Sequence, residues 1–185
     1  MVPDASQDRR NRAISTRRKL FLLAYNLIGK YLPRSTMPYS FGSRRIREFL
    51  VRNFISRCGK NLIVETGVSL SPEVEIGDNC LIGENSRVRG RVILGDDVMI
   101  AQDVNLIAFN HRFDRADIPV RLQGEDFGVI EIGDDVWIGI NAVVLNNIRI
   151  GHHAVLGAGA VVSRDVPDWA VMGGIPADII RYRNH

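Results

Sequence analysis

The 185-residue sequence predicts an all-β domain, a parallel β-helix of six-residue repeats, preceded by a basic helical segment. Three observations carry this. An aliphatic residue returns at every sixth position from Val64 onward. A small or β-branched residue recurs four positions after it. The segment 1–57 lacks that period and shows a helical one instead.

The aliphatic column runs through Val64, Leu70, Ile76, Ile82, Val88, Leu94, Ile100 and Leu106, then resumes at Ile132, Ile138, Val144, Ile150, Leu156 and Val162. Its companion begins at Val68, Val74, Cys80 and Ser86 and ends at Ala154, Ala160 and Val166. Six residues make one short strand and one tight turn. Three such units close a triangular coil of about 18 residues, and stacked coils pair in parallel around an aliphatic core. Glycine follows the aliphatic residue at Gly77, Gly83, Gly95, Gly133, Gly139, Gly151 and Gly157, where it is expected to supply backbone conformations that other residues resist. The Asp and Asn residues after these glycines suit exposed turns.

Between Leu106 and Ile132 the six-residue phase slips by two positions. The chain must therefore leave the wall, in an excursion expected over residues 112–131. A loop that protrudes from a rigid scaffold is a usual place for function. The organisation that follows is a helical segment over 1–57, a β-helix domain over 58–177 with that loop, and a tail over 178–185 holding a short C-terminal helix.

In the first segment, residues 1–12 are expected to be disordered. A helix is expected over 14–32, with Leu20, Leu23, Leu27 and Tyr31 at helical spacing, as are Phe21, Ala24 and Ile28, and with Pro33 as its stop. A second is expected over 43–57, capped by Ser43, with Ile46, Phe49, Leu50 and Phe54 on its buried face and arginines opposite. Residues 1–57 carry 13 Lys+Arg against 3 Asp+Glu, whereas the rest carries 11 against 18. The expected role of this segment is to cover the open end of the β-helix; peripheral contact with an anionic membrane is the alternative. No nucleic-acid-binding motif accompanies the charge, so no nucleic acid is expected as a partner. The apolar run over 20–32 is too short to span a bilayer and lacks a cleavage pattern, which predicts a cytoplasmic protein. Two cysteines, Cys58 and Cys80, suffice neither for a disulfide framework nor for a cysteine zinc site.

The segments IGDDVWIG (132–139), LGAGAVVSRDVP (156–167) and GGIPADIIRYR (173–183) resemble the hexapeptide-repeat acyltransferase superfamily, in particular its bacterial sugar and polysaccharide O-acetyltransferases. The resemblance covers roughly residues 60–185. It implies a left-handed β-helix, acetyl-CoA as co-substrate, a sugar or glycan acceptor, and a homotrimer with sites between subunits. His111 aligns with the family's catalytic histidine, and an imidazole is suited to take the proton of an attacking hydroxyl. Trp137 and Asn85 are implied on the substrate side. Gly139, Ala158, Gly159, Ser163, Arg164 and Arg181 are implied along CoA, the arginines being suited to its phosphates. No metal is expected, since the zinc enzymes of this fold need a His-x-x-x-x-His pair that this sequence lacks. His152 and His153 read as turn residues. N-acetylation of an amino sugar, xenobiotic acetylation, and a non-catalytic structural β-helix are the competing readings.

Overall fold

A computed structural model describes residues 14–183. Residues 1–12, expected to be disordered, lie outside the described residues. Two helices, α1 (Thr16–Leu27) and α2 (Ser43–Phe54), precede a solenoid of short parallel strands. The first face of the prism stacks Arg57–Cys58, Glu75–Ile76, Arg91–Leu94, Val129–Ile132 and Arg149–Ile150. The second stacks Ile63–Val64, Leu81–Ile82, Met99–Ile100, Trp137–Ile138, Val155–Leu156 and Ala170–Gly173. The third stacks Ser69–Leu70, Arg87–Arg89, Asn105–Ile107, Val143–Val144 and Val161–Val162. Both periodic columns point inward: every residue of the aliphatic column and of its companion is buried.

The glycines that follow the aliphatic residue have a different reason from the expected one. They do not adopt the left-handed conformation; a side chain there would strike the next coil. A Cβ on Gly83 would lie 2.4 Å from the carbonyl carbon of Ala101, and one on Gly77 would lie 2.4 Å from the carbonyl oxygen of Gly95. The left-handed turn positions are filled instead by Asn79, Asn85, Asp97, Asp103, Asn141 and others, all with φ near +58°, because short polar side chains tolerate that region. Gly83→Ala is therefore expected to force two coils apart and to cost about 1–3 kcal/mol, as overpacking usually does. An unchanged thermal melt would contradict this.

The corner between the first and second faces is stitched by ladders. Asp78, Asp96 and Asp134 each accept, through Oδ1, the backbone N–H of the residue one coil earlier. His152 continues this ladder, its Nδ1 accepting the N–H of Asp134 at 3.0 Å. His153 lies 2.9 Å from Asp135 Oδ2 and stacks on Trp169 at 4.0 Å. The His153 ring, together with Arg183, holds the Asp135 carboxyl below its usual range. Both histidines are thus turn residues of the wall.

The wall stops after Ala108 and resumes at Val129. In between, Phe109–His111 and Glu125–Phe127 form an antiparallel hairpin. The excursion thus spans 109–128, beginning and ending earlier than the expected 112–131. Ile132 pairs with Leu94, so the chain returns to the first face one coil further on, with the excursion simply inserted between. The C-terminal helix does not form. Asp178–Tyr182 is a strand, antiparallel to Ala170–Gly173. Its β-branched Ile179 and Ile180 suit an edge strand, and pairing satisfies backbone groups that the last coil would leave open.

The helices close the N-terminal end; Leu50 and Phe54 of α2 and Phe21 of α1 pack inward as their spacing suggested, and the other expected residues do not. On α1 the buried residue is Tyr25, whose hydroxyl donates to the Val68 carbonyl at 3.0 Å. On α2 the buried residues are Ser43, Arg47, Val51 and Phe54, while Ile46 and Phe49 are exposed. Arg47 is buried because its guanidinium finds four acceptors: the carbonyls of Val64, Leu32 and Pro33, and Glu65. Ser43 does not cap α2; Gly42 holds the N-cap position in the left-handed conformation, and the Ser43 hydroxyl is buried without a partner.

Candidate active site

His111 ends the first strand of the hairpin, where the chain has just left the third face. It is exposed, and its backbone N–H donates to Asn110 Oδ1 at 2.9 Å. Glu125 is its cross-strand partner. The imidazole borders a polar cavity of about 440 Å³ lined also by Asn110, Arg112, Phe113, Asp126 and Asn146. Asn146 Oδ1 is buried without a hydrogen-bond partner, packed against Gly128, where a Cβ would lie 2.2 Å from it. Sequence reasoning missed Asn146, since a turn asparagine carries no distinguishing signal.

Asn85 lies at the opposite edge of the third face, in the turn that leads into Arg87–Arg89. It takes the left-handed conformation with φ of 58°. The absent side chain of Gly67 makes room for it, because a Cβ there would lie 2.1 Å from Asn85 Oδ1. Asn85 borders a second concavity, about 570 Å³, with Lys30, Tyr31, Ser69, Arg87 and Asp103. Lys30 Nζ donates to Ser69 Oγ at 2.8 Å, so the N-terminal segment forms one wall of this groove. Lys30 escaped the sequence reading because its position depends on how the N-terminal segment docks, and Arg87 because nothing local marks an outward arginine of the wall as part of a groove.

Trp137 stands on the outside of the second face, 48% exposed. Strand pairing sets Trp137, Val155, Val171 and Arg181 side by side on four successive strands, which spans about 14 Å at the usual strand spacing. Gly139 and Ala158–Gly159 occupy the adjacent corner in neighbouring coils. Gly139 has a packing reason of its own, since a Cβ would lie 2.7 Å from the backbone nitrogen of Ala158. Gly159 has open space around it and a φ of +68°. Ser163 and Arg164 sit at the far corner, beyond the third face. Arg164 forms an ion pair with Asp178 at 2.5 Å, so its charge is already engaged.

The predicted residues therefore fall into two groups on one chain. Trp137, Gly139, Ala158, Gly159 and Arg181 share the second face and its corner. Asn85 lies on that same corner, in line with Asp103, Asn141 and Gly159 of the following coils, while His111, Ser163 and Arg164 lie beyond the third face. A third concavity, about 760 Å³ on the first face, holds none of them. No group of three or more potential metal-ligating side chains occurs among the described residues.

A family model for the bacterial transferase hexapeptide (six repeats) matches residues 73–108 and 130–164, the blocks on either side of the excursion. Galactoside O-acetyltransferase of Escherichia coli (strain K12) is 32% identical over 177 residues, which cover 90% of this chain and 86% of that one. The chain belongs to the hexapeptide-repeat acetyltransferase family. A solved galactoside acetyltransferase in complex with coenzyme A matches this family member with a TM-score of 0.75 at 27% identity, over 100% of this chain and 92% of that one. A maltose O-acetyltransferase from Clostridium difficile 630 shares the fold, with a TM-score of 0.76 at 24% identity over 95% of this chain and 91% of that one. The parallel solenoid and the helical N-terminal segment are common ground of the family fold.

Proposed function

We propose that this family member transfers the acetyl group of acetyl-CoA to a hydroxyl of a sugar or glycan, with His111 as general base. The observation that carries the reading is the placement of an exposed imidazole, on the only excursion from the wall among the described residues, at the mouth of a polar cavity. The imidazole takes the hydroxyl proton as the oxygen attacks the thioester carbon. The C–O bond forms, the C–S bond breaks, and the proton passes to the departing CoA sulfur. The thioester is itself the electrophile, so this chain's residues need only position the partners and move one proton.

The row from Trp137 to Arg181 is the proposed seat of CoA. Its length suits an extended ligand, and Gly139, Ala158 and Gly159 leave the adjacent corner low, with Ser163 and Arg164 as further proposed contacts. The groove containing Asn85 is the proposed acceptor site. Lys30 and Arg87 make it polar and cationic, which fits glycans of polysaccharide or lipopolysaccharide assembly. Acetyl-CoA is a cytoplasmic metabolite, and the cytoplasm is the proposed location. Because His111 lies beyond the third face and Trp137 on the second face of one prism, a homotrimer that joins one chain's hairpin to its neighbour's second face would complete the site. Light scattering is expected to show a trimer; a fully active monomer would contradict it.

The direct test is release of CoA thiol from acetyl-CoA with a panel of sugar and glycan acceptors. Acceptor-dependent release supports the reading, and none with any acceptor overturns it. Trp137→Ala is expected to raise the KM for acetyl-CoA roughly tenfold, with a smaller change in kcat, as for loss of an aromatic contact of about 1–2 kcal/mol. An unchanged KM would remove Trp137 from the CoA site.

A further inference from the structure

We propose that the outer face of α1, with its basic surroundings, is a docking surface for an anionic lipid bilayer. The cap uses only one side of the helix. Tyr25 is buried, Arg18 donates to the carbonyls of Phe54 and Pro72, and Phe21 and Leu22 pack against the core. At about 100° per residue, Leu20, Leu23 and Leu27 fall on the side opposite Tyr25. They are 62%, 54% and 66% exposed, and Ile28 and Tyr31, just beyond the helix, are exposed as well. A helix at a protein–water surface turns polar residues outward; this one turns leucines outward. On α2, Ile46 and Phe49 are also exposed, and Phe49 meets the inner-side Phe21 edge-on at 5.7 Å where the two helices pack.

Charge identifies the occupant. The α1 sequence TRRKLFLLAYNL has no acidic residue. The single acidic residue of α2, Glu48, is paired with Arg52 at 3.0 Å. Arg17 and Lys19 of α1 and Arg44 and Arg45 of α2 are exposed. Residues 1–57 hold 13 basic against 3 acidic residues, while the rest of the chain holds 11 against 18. An anionic surface thus attracts this end and repels the remainder, which defines an orientation. A second copy of the same cap would bring like charges together. No helix among the described residues is long and apolar enough to cross a membrane, so the geometry is that of an amphipathic helix lying in the interface. The inference does not depend on the acetyl-transfer reading, because its test reads no catalysis.

The test is flotation of the full-length chain with phosphatidylcholine vesicles, with and without about one-third phosphatidylserine. Flotation is expected with the anionic vesicles at low salt and is expected to fade as salt rises. Leu20→Gln, Leu23→Gln and Leu27→Gln together are expected to reduce partitioning at least about a hundredfold. Lys19→Gln with Arg45→Gln is expected to reduce it about thirtyfold. Both variants should keep the parent melting temperature, since none of these side chains enters the core. Absence of flotation at low salt overturns the proposal, as does equal flotation of the leucine variant. A leucine variant that shifts the protein to a smaller assembly in light scattering would show a second copy on this face and overturn it too.

Discussion

His111→Ala is expected to lower turnover about 10²–10⁴-fold, the usual range for loss of a general base, while leaving the fold and assembly intact. The side chain is exposed on the hairpin and belongs to no core cluster, so its removal makes no cavity. The loss should fall mainly on kcat, because the proton transfer belongs to the transition state and not to ground-state binding. The measurement is steady-state thiol release by the purified variant, with circular dichroism and light scattering as controls for folding and assembly. Near-parental turnover would remove His111 from the chemistry. The polar cavity beside it would then need another base, and Asp114 and Asp126 are the carboxylates already lining it.

Arg47→Ala is expected to be among the most destabilising single substitutions in the chain, costing about 3–5 kcal/mol, as for a buried ion pair that loses one partner. The guanidinium is fully buried and ties three separate pieces together. Nε donates to Val64 in the first coil at 2.6 Å, and Nη1 donates to the Leu32 and Pro33 carbonyls at 3.0 and 2.9 Å. Nη2 reaches Glu65 at 3.3 Å. Removing it strands three carbonyls and leaves a carboxylate nearly buried without its cation. Arg47→Met keeps most of the volume but none of the donors, so it should recover little. Urea unfolding of both variants checks this, and a loss below about 1 kcal/mol for Arg47→Ala would show that the network is dispensable.

These expectations differ in how far the sequence alone reaches them. His111 stands just after the column's last regular residue, where the period breaks, so a reader of the chain meets it directly. Arg47 stands in an arginine-rich stretch with Arg44, Arg45 and Arg52, and helical spacing assigns it to the solvent side. That assignment fails because spacing ranks side chains by apolarity, whereas the end of a solenoid presents bare carbonyls. A donor-rich side chain serves that surface better than Ile46 or Phe49. The same blindness explains α1. Leu20, Leu23 and Leu27 have the spacing of a buried stripe, yet the cap selects Tyr25, whose ring packs against Phe54 at 5.3 Å and whose hydroxyl satisfies a carbonyl.

The glycine positions were legible as a period and illegible in cause. Nothing local distinguishes a glycine needed for its dihedral angles from one needed because another coil passes within van der Waals distance. The C-terminal strand was hidden for a related reason: an edge pairing depends on the strand beside it, and the order of strands across the second face is not written in residues 178–182.

By itself, then, the sequence determined the β-helix, its two inward columns, the existence of an excursion and the histidine at its root. Each of these follows from a repeat that places every sixth residue in the same environment. The tertiary structure alone decided which helix faces are buried, where the excursion begins and ends, and why the glycines are there. It also decided which of the site residues lie together: Asn85 shares a corner with Gly139, Ala158 and Gly159 beside the face of Trp137, whereas His111 lies beyond the third face. Those outcomes depend on which surface comes to lie against which, and contacts between distant segments leave no period in the chain.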